Sequence, residues 1–186
     1  MKLNRKFRRA RDVSKFAEIT QYDEAVKSQL IDLAISGVTK QNLLDEFDKF
    51  AWKLSDYGYW FILGVLWTTV LGQGEVQWWR LAFMKNRNRR EDCLMKPSEK
   101  TIFDRMRNGS PTMCFRAHFP GEHDWLSYVM DLTAAKRMAR HNKCGVIGMY
   151  EIPDDKVVAF FDRRGFKEII VPELGEWHQP VEFMEI

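Results

Sequence analysis

The chain has 186 residues, 45% of them apolar, and its 29 Lys+Arg against 26 Asp+Glu leave a net charge of +3. That length suits one domain or two small ones, with enough apolar material for a core without disulfides or metal. The balance excludes a disordered polyelectrolyte and a wholly basic nucleic-acid coat.

The charge is not evenly spread. Residues 1–95 hold 16 basic and 12 acidic groups, an excess of +4, and residues 96–186 hold 13 and 14, a net of −1. The excess gathers in two clusters. One is Lys2, Arg5, Lys6, Arg8, Arg9 and Arg11, read as a basic arm; the other is Lys85, Arg87, Arg89 and Arg90. Each is either a solvated stretch or an electrostatic contact for nucleic acid or an acidic partner. Cys93, Cys114 and Cys144 form no C-x-x-C, so the expected setting is the reducing cytoplasm without disulfides. No secretory leader is read at the N-terminus. The longest apolar run, residues 60–71, is too short to span a bilayer and suits a buried helix, so no membrane association is expected.

Taken in chain order, residues 16–36 read as a helix stopped by Gly37. Thr39 caps a second, running to about Leu54, whose apolar residues recur at spacings of three and four. A third, 57–71, is apolar all round and ends at Gly72-Gln73-Gly74. A short helix around Trp78 to Phe83 follows. Trp52, Trp60, Trp67, Trp78 and Trp79 invite a base-stacking reading, but helical spacing among Leu and Ile favours core. Residues 96–109 read as a further helix closed by Asn108-Gly109.

Beyond Pro111 the pattern changes. Residues 112–119 alternate as a strand, with an apolar face and a polar face that carries Arg116. Ser127 lies in a turn before a helix, 132–141, capped by Asp131. Residues 146–152 are a strand, 157–161 a strand or one helical turn, and 166–171 a strand ended by Pro172. Helices followed by strands make the expected class α+β, a helical N-terminal half (1–95) packed on a small mixed sheet (96–186).

Three residues invite chemistry. Arg116 sits mid-strand, Ser127 in a turn, and Glu168 shares a strand face with Phe166 and Ile170, where a carboxylate belongs only if that face opens on a cleft. Read singly, they are a salt-bridge partner, a turn residue and an edge charge. Cys114, His118 and His123 have metal-like spacing but no fourth ligand, so no metal is expected. His118 and His123 alternatively line a cleft. Cys144 reads as an unreactive thiol.

The order of the pieces adds a resemblance. CFRA (114–117), LSYVMDLTAAKRMA (126–139), GMYEIPDDKVVAFF (148–161) and RRGFKEIIVP (163–172) resemble the Arg-Ser-Glu type of mono-ADP-ribosyltransferase. DYGYWFILGVLW (56–67) is similar to the helical lead-in of small bacterial and phage members. The resemblance implies a sheet of that family's type and NAD as the substrate. The nicotinamide–ribose bond is cleaved and ADP-ribose passes to a macromolecule, most simply a host protein, in the manner of a phage or mobile-element effector. Arg116 then holds the pyrophosphate, Ser127 fixes that arginine or the ribose, and Glu168 stabilises the sugar cation. Tyr128, Ala117 and His118 line the NAD cleft. Arg164 and Phe166 lie on the acceptor side. Phe166 stands where arginine-modifying members carry an acid, which points to an acceptor other than arginine. Ala117 replaces a common Gly and Val129 a common hydroxyl. The competing expectations are a non-catalytic binding module on the same fold, acting through the basic clusters, and an NAD glycohydrolase.

Overall fold

The computed structural model describes residues 19–69, 75–122, 124–163 and 165–186. The basic arm, the Gly72-Gln73-Gly74 break, His123 and Arg164 lie outside the described residues. The chain divides into two compact units, 1–74 with 87–94, and 75–86 with 95–186. A single boundary at 95 therefore misses one helix, Val76–Phe83, which belongs with the sheet.

The first unit is helical. α1 (Gln21–Ile35) starts from Thr20, whose hydroxyl accepts from Asp23 N while the Asp23 carboxylate accepts from Thr20 N, a reciprocal cap. α2 (Lys40–Ala51) starts from Thr39, as its sequence predicts. α3 (Asp56–Thr69) is buried nearly all round, with Trp60, Leu63 and Trp67 fully enclosed. Each such side chain contributes about 1.5–3 kcal/mol of transfer free energy. Two glycines let α3 approach its neighbours. Gly58 faces the Asp23 side chain, and a Cβ on Gly64 would sit 2.5 Å from the Leu94 carbonyl oxygen. Of the tryptophans, Trp60, Trp67 and Trp79 are core, whereas Trp52 is exposed.

Arg87 is a structural clamp rather than part of a basic surface. It donates to the carbonyls of Ala51 and Leu54 at the end of α2 and lies over the Tyr59 ring. Orphan carbonyls at a helix C-terminus attract such a cation. α5 (Arg90–Cys93), a single turn that the periodicity does not reveal, completes this unit.

The second unit holds α4 (Val76–Phe83), α6 (Pro97–Met106), α7 (Leu132–Asn142) and six strands. These are β1 (Thr112–His118), β2 (Ser127–Val129), β3 (Val146–Ile152), β4 (Ala159–Phe161), β5 (Glu168–Ile170) and β6 (Glu182–Glu185). They form one sheet in the order β4-β5-β2-β1-β3-β6. Every pairing is antiparallel, so the expected mixed sheet is corrected. The class itself, α+β, holds. Ser127 lies in a strand, not a turn. β2 is only three residues long, too short for alternation to signal it. β6, with exposed Phe183, was likewise silent in sequence.

The long ladder is β1 to β3, in register from Thr112↔Ile152 to His118↔Val146. Both faces of the sheet are covered. On one, α7 packs its alanines against Ala117, Val129 and Ile147. On the other, Cys114, Tyr128 and Tyr150 are enclosed, while Thr112, Arg116 and His118, the rest of the polar face expected on β1, are half-buried. Among the described residues no helix is long and apolar enough to cross a membrane.

Candidate functional site

The site begins where the sheet opens. β1 and β3 pair along seven rows, but β1 and β2 register only at Phe115↔Val129. On its other side β2 is held firmly by β5, with Leu126 O accepting from Val171 N and Met130 N donating to Lys167 O. Antiparallel strands alternate the direction of their peptide groups, so the Ser127 carbonyl points away from β5, toward β1. The registered β1–β2 pairing among the described residues stops at that one row, Phe115↔Val129. Arg116 meets the Ser127 carbonyl: its Nη1 donates to Ser127 O at 2.9 Å and lies 3.3 Å from Ser127 Oγ.

Glu168 opens β5 opposite Val129, and Ser127 stands opposite Ile170. Residues directly opposite share a face and diagonal neighbours lie within reach, so Ser127 and Glu168 occupy one face on adjacent rows. Glu168 is 5% exposed. By register the Arg116 row is that of Tyr128 and Ile169, on the other face. Its guanidinium still reaches Ser127, through Nη1. Thus Arg116 meets Ser127, Ser127 shares a face with Glu168, and no hydrogen bond joins Arg116 to Glu168.

The rest of the guanidinium is taken by a residue that the sequence reading missed. Arg116 Nε donates to Glu122 Oε2 at 3.1 Å, and Nη2 donates to Glu122 Oε1. His118 Nδ1 lies 3.2 Å from Glu122 Oε2, and its Nε2 lies 2.5 Å from the Tyr150 hydroxyl. A carboxylate only accepts, so His118 donates from Nδ1 to Glu122, and its Nε2 shares the other hydrogen bond with the Tyr150 hydroxyl. Burial pushes the Tyr150 hydroxyl well above its ordinary value, which keeps it a donor. Burial also pushes the Glu122 carboxyl up, but hydrogen bonds from His118 and Arg116 outweigh it and hold the group below the usual range. The chain Tyr150–His118–Glu122–Arg116 is therefore a consistent run of donors and acceptors with ionised members at its far end.

A turn brings Glu122 there. Glu122 N donates to Phe119 O at 3.0 Å, and Gly121 has a φ of 76°. Pro at the second and Gly at the third position fit a type II turn, which folds Glu122 back onto residues four and six positions earlier. The Pro120-Gly121 pair was the available signal. Gly148 supplies a second requirement. A Cβ there would stand 2.7 Å from the Tyr150 hydroxyl, so only glycine lets that phenol lie across the strand to reach His118.

Trp125 closes the cluster, edge-on to His118 at 4.6 Å, with the Arg116 guanidinium 5.8 Å from its ring centre. The loop that holds Trp125 is pinned by Arg80 of α4. That side chain donates to Asp124 and to the carbonyls of Trp125 and Pro172, the ends of β2 and β5.

Several expected cleft residues are packed instead. Tyr128 is 1% exposed, with its ring against Tyr150 and His178. Ala117 faces the α7 alanines, and Phe166 packs on that same cluster, so neither lines an open cleft here. Both ring nitrogens of His118 are occupied, which leaves no free donor atom for a metal. Burial raises the Cys114 and Cys144 thiols, in keeping with unreactive groups. Comparison with protein-family models, curated proteins and solved structures gives no match.

Proposed function

We propose that the chain is an NAD-dependent mono-ADP-ribosyltransferase. One observation carries the reading: Arg116 bonded to Ser127 where β1 and β2 part, with Glu168 on the Ser127 face one row away. Two contacts support it: Arg116 meets Ser127 directly, and Ser127 has Glu168 as its diagonal neighbour across β2 and β5, which are the residue types that anion binding and cation stabilisation require.

In this reading NAD is a substrate. The guanidinium of Arg116 takes the diphosphate through charge-assisted hydrogen bonds. The glycosidic bond breaks with its electron pair going to the nicotinamide nitrogen, and nicotinamide leaves neutral. Glu168 accepts a hydrogen bond from a ribose hydroxyl and offsets the positive charge growing at the anomeric carbon. An acceptor nucleophile forms the new bond to that carbon and gives up its proton. The half-buried Phe166 offers no acid to an incoming guanidinium, so the acceptor is a group other than arginine. A host protein is the acceptor class this reading favours. The setting is the cytoplasm, where the free thiols of Cys93, Cys114 and Cys144 stay reduced.

The test is labelled NAD added to a cell lysate with wild type and Glu168→Gln side by side. Label should appear on a macromolecule, and the variant should lose roughly 10²–10³-fold of that rate. Turnover unchanged in Glu168→Gln would refute the reading. Free ADP-ribose without a labelled band would instead point to hydrolysis. A second reading has its own support, since Glu122 already occupies Arg116 and Tyr128 is packed away. It is a binding module without transfer, and an absence of any NAD turnover is the result it expects.

A further inference from the structure

The Arg116 fork is not an empty anion seat. Its Nε and Nη2 edge, the edge suited to a bidentate oxyanion, is filled by the Glu122 carboxylate of the same chain. The occupant is held by side chains alone, Arg116 and His118, and no backbone amide donates to it among the described residues. Pair and solvent are in contact, with the Arg116 and Glu122 side chains 18% and 15% exposed. A carboxylate so placed has somewhere to go. If it turns away from Arg116, His118 Nδ1 still offers it a proton, and Tyr150 still supports His118 from behind. The other edge of the guanidinium stays anchored through Nη1 to Ser127, so the seat keeps its position when the occupant leaves.

We propose that Glu122 is a built-in competitor that sets the affinity of the Arg116 seat for diphosphate anions. The inference rests on the reading of Arg116 as the diphosphate-binding group. Two anions do not share one fork, so a diphosphate enters only when the carboxylate has turned off it. The apparent dissociation constant is then the intrinsic one divided by the fraction of chains with the seat free. This differs from a merely structural salt bridge. A structural partner, once removed, leaves Arg116 unsupported and weakens anion binding, whereas removal of a competitor strengthens it.

The experiment is calorimetric titration of the whole chain with inorganic pyrophosphate, and separately with ADP-ribose, for wild type and Glu122→Gln. The expected result is tighter pyrophosphate binding by the variant, by about ten-fold if the seat is free in roughly one wild-type chain in ten. Arg116→Gln added to that variant should remove the gain. Equal or weaker binding by Glu122→Gln overturns the proposal while leaving the seat itself intact. If neither chain binds pyrophosphate or ADP-ribose, the diphosphate reading of Arg116 falls and this inference with it. Should Glu122→Gln fail to fold, wild type supplies the readout. With carboxyl-labelled glutamate, the Glu122 resonance should move on saturation with pyrophosphate; a fixed resonance at saturation refutes displacement.

Discussion

The sheet unit holds two Arg–Glu forks that look alike as residue pairs and differ in what surrounds them. In one, Glu99 accepts from Arg163 through Nε at 2.9 Å and Nη2 at 2.8 Å, and also from the backbone amides of Lys96 and Asp162. Its carboxylate is 2% exposed, and it ties the first turn of α6 to the end of β4. In the other, Glu122 accepts from Arg116 and His118 side chains and sits near solvent. Where backbone amides join, the carboxylate is part of the frame. Where side chains alone hold it, rotation about χ angles suffices to release it. The same two residue types thus serve as a staple in one place and as an exchangeable contact in the other.

Removing each carboxylate and following urea unfolding should separate the two forks by the largest margin. Glu99→Ala takes the buried acceptor from the Arg163 cation and from two backbone amides, and a buried pair broken on one side costs about 3–5 kcal/mol. Glu122→Gln leaves Arg116 within reach of water and still bonded to Ser127. A loss of about 1 kcal/mol or less is expected there, as for other partly exposed pairs. Equal losses at the two positions would erase the distinction.

A smaller effect tests the support behind Glu122. Gly148→Ala puts a methyl group where the Tyr150 hydroxyl lies, so the phenol must leave His118. Overpacking of this kind costs about 1–3 kcal/mol. Because Arg116 is bonded to Ser127 on its other edge, pyrophosphate binding by Gly148→Ala should change far less than by Glu122→Gln. Loss of binding equal to that of Arg116→Gln would mean that the seat depends on Tyr150, contrary to the comparison.

Much of this architecture is legible in sequence, and the exceptions have physical causes. Asp131 announces α7, and its carboxylate does accept from Ala134 N at 2.7 Å. The strand alternation around Arg116 and the all-round apolarity of α3 are equally plain. What the sequence hides is short or non-local. The start of α1 depends on a reciprocal cap between Thr20 and Asp23, which an apolar count that starts at Phe16 passes over. β2, three residues long, is defined by its partners rather than by its own pattern, whereas β5 falls inside the 166–171 stretch that reads as a strand. The meeting of Arg116 with Ser127 depends on a ladder that stops after one registered pair, which no local signal encodes. Glu122 was within reach, since Pro120-Gly121 predicts a turn that returns it to His118 and Arg116. Arg87 shows the reverse error: a basic residue in a charged cluster proves to be the clamp on a helix end.

The finest test uses pH, because the two states of Glu122 differ in charge. Hydrogen bonds from His118 and Arg116 hold its folded value below the ordinary glutamate value of about 4.3. A depressed carboxyl contributes stability that is fully present above its unfolded value and is lost as pH falls through the folded one. Over the same acid window the protonated group no longer competes as an anion for Arg116. The ratio of wild-type to Glu122→Gln dissociation constants for pyrophosphate should therefore stay flat above the ordinary glutamate value and shrink toward unity only as pH falls through the lower folded value. The ligand titrates too, but identically for both proteins, so the ratio removes its contribution. A ratio that holds constant to the acid limit of folding would mean that the carboxylate charge is not what keeps the seat occupied.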